Sequence, residues 1–331
     1  MKWIVIGVCI VSILVFVVDI QRKSTAASFT EGSIKPSLVR DDAARILKTY
    51  SSQDAYQRFT AIYDQFDFNI QHTVAHIFGE TLFEIVGNEG ISYCDSSFSF
   101  GCYHGFFTRS VSSEGLTIIT ALDEGCGTIV GGNQSACRHG IGHGILEYLG
   151  TDHLTEALAV CLKTTQPDPV AGCTSGVFME YNVPLITNDQ GEFIASPRSL
   201  GSDPYTPCGD VETQFKASCY FELPQWWEQV YNQDVRTIGR LCSQIPEKDY
   251  VRQCFVGYGR IVAPSAEYNP KITRSRCEEI ESREGSYLCR ASAAWSIALN
   301  GGGYNDARQV CEESVAGYGF SCPIDAQEKN L

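Results

Sequence analysis

Six histidines, His72, His76, His104, His139, His143 and His153, carry most of the chemistry this sequence can offer, and none lies beyond position 153 of 331. His72 and His76 are followed at the same step by Glu80, and His139 and His143 by Glu147. Residues at i, i+4 and i+8 share one helix face, so each set is a column of two imidazoles and a carboxylate. His104 stands two residues after Cys102, His139 two after Cys137, and His72 precedes His104 by 32 residues. The recurrence puts them at equivalent places in successive structural units. Helices packed ~8–10 Å apart would bring such imidazoles to one surface and one ion. The metal ligands this predicts are His72, His76, His104, His139 and His143, and imidazole suits zinc, copper, iron or nickel. An ion with an open position would activate water or oxygen, with Glu80 or Glu147 as the catalytic base. Hydrolysis, redox chemistry and plain metal binding all fit.

Competing readings stand beside this one. A histidine in a helix is more often structural, and a hydrogen-bonded ladder holding helices in register uses the same residues. Thr108 takes the place of a second imidazole in the middle unit. His153 precedes the next helix and reads as a solvated residue. In CRHGIGHG, Gly140, Gly142 and Gly144 each weaken a helix by ~1 kcal/mol against alanine. Either the segment is not regular helix or a backbone or ligand must approach closely there. Both histidines of that segment read as lying near a helix N-terminus, whose positive end disfavours imidazolium. The HExxH, GxSxG, GxxxxGK[ST] and CxxCH signatures are all missing.

The cysteines define the elements that must hold these side chains. Of 15, Cys9 lies in the apolar N-terminal run; the rest form consecutive pairs: Cys94/Cys102, Cys126/Cys137, Cys161/Cys173, Cys208/Cys219, Cys242/Cys254, Cys277/Cys289 and Cys311/Cys322. Second members recur at steps of 35, 36, 46, 35, 35 and 33, the signature of a repeat array. The first Cys ends a stretch of helical spacing, as in LTEALAVC and DVRTIGRLC, and the second opens another, as in QCFVGYGRIV. Asp152, Asp234 and Asn305 are the expected N-caps. In most units a small residue follows the second Cys by three places, at Gly105, Gly140, Gly176, Gly257 and Ser292; Glu222 is an exception. Separations of 8 to 12 within pairs suit disulfides better than zinc, whose paired ligands sit closer. Neighbour-to-neighbour pairing is the simplest connectivity. With every exported cysteine so partnered, cysteine catalysis is not expected.

Two helices per roughly 35 residues, with a Cys ending one and a Cys opening the next, resembles the secreted, cysteine-rich Sel1-like repeat proteins, relatives of the tetratricopeptide solenoids, over residues 90–322. The resemblance implies a protein-interaction scaffold with a partner on its concave face. The fold class expected is all-α: an α-solenoid of about seven disulfide-stapled helix pairs with an N-terminal transmembrane helix.

Trp3 to Val18 is apolar but for Gly7 and Ser12, with Lys2 before it and Arg22 and Lys23 after. It reads as an uncleaved signal anchor over residues 1–20, with a cleaved signal peptide as the alternative. It is short against the ~20 residues of a spanning helix. Residues 21–40 read as a polar tether, 41–90 as a cysteine-free helical cap, and 91–331 as the repeats, with an insertion at about 182–208. That insertion is a tolerated surface loop or a lid, and Trp226 and Trp227 after it read as core. Asn133 begins a glycosylation sequon. Fifteen cysteines place the chain in an oxidising, extracytoplasmic compartment. A net charge of −14 excludes a nucleic-acid partner. The function expected is a membrane-anchored, extracytoplasmic helical-repeat protein carrying a transition-metal site (zinc, copper or iron); the alternative is a metal-free scaffold.

Overall fold

A computed structural model describes residues 35–51, 53–129, 133–165, 170–187, 193–300, 303–311 and 320–323. The apolar run at 3–18 lies outside the described residues, as does most of the stretch read as a tether. Among the described residues, no helix is long and apolar enough to cross a membrane.

The described residues are all-α apart from one short β-pair. Three described α-helices precede Cys94, the first disulfide cysteine: α1 (Pro36–Thr49), α2 (Gln53–Tyr63) and α3 (Phe68–Val86). Helix α1 therefore starts within the stretch read as tether. Tyr56, Phe59 and Phe78 pack their rings together and are fully buried, which fixes α2 against α3. Asp67 caps α3 by accepting the Ile70 N–H at 3.1 Å.

After α3, short and long helices alternate, except that the insertion stands in place of a short helix between α8 and α9. The long ones are α4 (Gly101–Glu114), α6 (Asn133–Leu149), α8 (Cys173–Asn182), α9 (Thr213–Val230), α11 (Lys248–Ser265) and α13 (Arg283–Asn300). Each packs on the next in chain order, with α3 at the head of the row. The short ones are α5 (Ile119–Gly127), α7 (Leu154–Cys161), α10 (Val235–Ser243), α12 (Pro270–Glu278) and α14 (Gly303–Val310). The first four lean on the long helix that follows, while α14 packs on α13 before it. All seven disulfides join the expected neighbours. Closing a loop of about a dozen residues contributes ~3 kcal/mol in the chain-entropy account. Of the expected caps, Asp234 accepts the Arg236 and Thr237 N–H groups. The other two differ: a 3₁₀ turn over Thr151–His153 precedes α7, and Asn305 lies inside α14.

Glycines set the spacing of the row. A Cβ on Gly105 would fall on the His76 carbonyl oxygen, one on Gly176 on the His139 carbonyl, and one on Gly257 on the Phe221 carbonyl. On the facing side, Gly79, Gly142 and Gly259 lie equally close to the carbonyls of Cys102, Cys173 and Cys289. The glycines of CRHGIGHG thus sit in regular helix and serve backbone approach.

The insertion after α8 contains β1 (Leu185–Thr187) and β2 (Phe193–Ala195), paired antiparallel. Arg198 ties it down, with its guanidinium 3.4 Å over the Trp226 ring and its Nε donating to Asn182 Oδ1 at 2.8 Å. The Trp226 indole donates to the Arg198 carbonyl at 2.7 Å and that of Trp227 to the Pro204 carbonyl at 3.1 Å. Both tryptophans are fully buried, as core residues should be.

Candidate metal centre

The five clustered histidines come from three consecutive long helices: His72 and His76 from α3, His104 from α4, and His139 and His143 from α6. Their nitrogens form two groups that share His104, namely His72/His76/His104 and His104/His139/His143, each with its ligand atoms within 4.8 Å of one another. The His104 ring lies 4.4 Å from that of His143 and 5.2 Å from that of His76, centroid to centroid. The columns expected from the spacing are present, and the repeat register does bring them side by side.

They do not line an open surface, as the sequence suggested. His76, His104, His139 and His143 are only 5–8% exposed, and His72 is partly buried. Nor do His139 and His143 sit at a helix N-terminus, because α6 begins at Asn133. Burial, rather than a helix dipole, drives the His76, His104 and His139 rings well below the usual imidazole range, and neighbouring charges reinforce it. The His72 ring is lowered too, chiefly by burial, with the Phe98 carbonyl working the other way.

Hydrogen-bond partners fix the tautomers. The Phe98 carbonyl accepts from His72 Nδ1 at 2.9 Å, so that ring's Nε2 is a bare lone pair. Glu180 accepts from His143 Nδ1 at 2.9 Å. His139 Nδ1 lies 3.1 Å from Ser175 Oγ, and the Ser175 hydroxyl donates to Glu222. Arg260 Nη2 reaches both Glu222 oxygens, at 2.6 and 2.7 Å, so the carboxylate accepts and the serine must donate. Loss of water raises the Glu222 carboxyl, and the Arg260 charge opposes it. Ser175 Oγ then accepts from His139 Nδ1–H, which leaves His139 Nε2 bare. This is how metal-ligating imidazoles are usually held, with one nitrogen tied to a carbonyl, carboxylate or hydroxyl and the other turned inward.

The inward nitrogens lie close together. His143 Nε2 and His139 Nε2 are 3.1 Å apart, His76 Nε2 and His72 Nε2 3.2 Å, and His104 Nδ1 and His76 Nε2 3.3 Å. A tetrahedral ion with bonds of ~2.0–2.1 Å sets its nitrogens about 3.3–3.4 Å apart. Comparisons with family models, curated proteins and solved structures find no match to this chain. The geometry of the centre therefore carries the functional argument alone.

The two carboxylates proposed as bases sit at the margin. Glu80 is held by Arg40 at 2.6 Å, and burial raises its carboxyl while Arg40 lowers it. Glu147 keeps an exposed edge and accepts from Thr108 Oγ1 at 2.8 Å; partial loss of water, with the Glu180 charge nearby, pushes its carboxyl upward. His153 is well exposed, 3.3 Å from Glu156, apart from the cluster.

Sequence reasoning missed Ser175, Met179, Glu180, Glu222 and Arg260. The register held a signal for most of them. Ser175 follows Cys173 as His139 follows Cys137, Met179 and Arg260 stand where His143 stands, and Glu222 breaks the run of small residues.

Proposed function

We propose that this chain is an extracytoplasmic transition-metal protein whose ion is held by the histidines of α3, α4 and α6. The observation that carries the reading is the pair His139 Nε2 and His143 Nε2 at 3.1 Å. Each ring spends its Nδ1–H on an outward acceptor, so two lone pairs face each other and the pair closes only around a positive charge. A proton shared between the two rings, balanced by the Glu180 carboxylate 2.9 Å from His143 Nδ1, would close this pair alone. A metal ion uses every nitrogen that converges there. The first group makes no such demand, since His76 Nε2–H can donate to His72 Nε2.

The wider reading is that the helix row is an α-solenoid of the Sel1 and tetratricopeptide kind, tethered to a membrane by residues 3–18, with the stapled domain on the oxidising side. Seven disulfides support that compartment. Glu147, near the rim, is the better placed of the two carboxylates to serve as a base for a metal-bound water.

Elemental analysis of the purified, tag-free domain tests the proposal and should find about one transition metal per chain. Stripping it should lower the melting temperature and re-addition restore it; free metal at 100 times Kd stabilises by about 2.7 kcal/mol. A domain that carries no metal and takes up neither zinc nor copper would overturn the reading and leave the interaction scaffold.

A further inference from the structure

The second histidine group has a sulfur at its edge. Met179 Sδ of α8 lies 3.2 Å from His139 Nε2, the same nitrogen that faces His143 Nε2. The contact is not a hydrogen bond from the ring, because the proton of His139 is already committed on Nδ1 to Ser175. A bare imidazole nitrogen and a thioether sulfur at that separation are two electron-rich atoms directed at one place. Met1 and Met179 are the two methionines of the 331 residues, so this thioether is not one of many core fillers. It is partly buried, and its place on α8 matches that of His143 on α6 in the repeat register. Ser175, one turn earlier on the same helix, holds the His139 ring.

We infer that Met179 is a ligand, and that His104, His139, His143 and Met179 form a copper(I) site. The inference rests on the metal reading above and adds the identity of the ion. Thioether sulfur is a soft donor that selects copper(I), whereas zinc is commonly satisfied by imidazole, thiolate and carboxylate. The carboxylates nearest the site are spent elsewhere: Glu180 on His143 Nδ1 and Glu222 on Ser175 and Arg260. The first coordination sphere on offer is thus three neutral imidazoles and a sulfur, with no anionic ligand, which suits a monovalent soft ion better than a divalent one.

The test is competition binding of copper(I), kept reduced with ascorbate, and of zinc(II), on the exported domain and its Met179→Leu variant. Leucine keeps the volume and removes the sulfur. The expected result is at least a tenfold loss of copper(I) affinity in M179L with zinc(II) affinity unchanged. X-ray absorption on the copper-loaded unsubstituted domain should show a sulfur neighbour along with nitrogens, a readout independent of the variant's folding. Equal copper(I) affinity in both proteins, or an all-nitrogen shell, overturns the copper site while leaving a histidine metal centre standing. Uptake of neither ion overturns both.

Discussion

The first and second halves of the helix row use one scaffold for two kinds of buried polarity. From α3 to α8 the facing side chains are five imidazoles, Ser175, Met179 and Glu180, whose carboxylate lies 2.9 Å from His143 Nδ1. From α9 onward the buried carboxylates form ion pairs: Glu222 with Arg260 at 2.6 Å, and Glu228 with Arg276 at 3.0 Å. The Glu222 side chain is fully buried and that of Glu228 is 3% exposed, yet each has its guanidinium. Glycine-mediated approach is the same in both halves. The difference lies in charge. The second half sets carboxylates against guanidinium groups. The first gathers imidazoles whose ring nitrogens lie 3.1–3.3 Å apart, a set that could hold a metal ion.

The contrast breaks most visibly at the pair that links the halves. Arg260→Met leaves the Glu222 charge without its partner and should destabilise the domain by ~3–5 kcal/mol, read by denaturant unfolding. It should also weaken metal binding, because Glu222 orients Ser175 and through it His139. A neutral result would mean the carboxylate is protonated and the tautomer assignment fails.

Next in size are the histidines themselves. His139→Ala and His143→Ala should each lower metal affinity by an order of magnitude or more. Because these rings are buried and hydrogen-bonded, each should also cost the metal-free protein about 1–3 kcal/mol. Loss of stability with metal affinity unchanged would reassign the cluster to the bracing role of the second half. Gly176→Ala pushes a methyl group onto the His139 carbonyl and should cost ~1–3 kcal/mol while loosening the site. Gly257→Ala should cost a similar amount and leave metal affinity unchanged.

Acid should act on the metal-free first half. Burial holds His72, His76, His104 and His139 below their ordinary pKa in the folded chain. As pH falls below about 6.5, the unfolded chain takes up protons that the folded one refuses. Stability is therefore fully present above that pH and lost below it, by up to about 1.4 kcal/mol per pH unit for each ring. Urea unfolding of the metal-free domain at descending pH measures the slope, and a flat profile would mean the rings are not held neutral. The smallest effect belongs to His153→Ala, expected within ~0.5 kcal/mol and without change in metal affinity.

Much of this was legible in the sequence because repetition writes tertiary proximity into one dimension. The period of about 35 and the Cys pairs gave the helices, the stapling and the alignment of His104 with His139. Local periodicity then put His72 above His76 and His139 above His143, since a helix fixes which residues share a face. Trp226 and Trp227 followed from size and setting. What sequence alone could not decide was depth. Whether an imidazole ladder lies on a surface or inside depends on how closely helices approach, and that was set by glycine Cα atoms meeting carbonyls across the interface. Nor could it decide protonation. The inward lone pair of His139 is a consequence of Ser175, Glu222 and Arg260, which come from three different helices 36, 83 and 121 positions away in the chain. A tautomer is settled by whichever partner stands across from the ring, and only the folded chain chooses that partner.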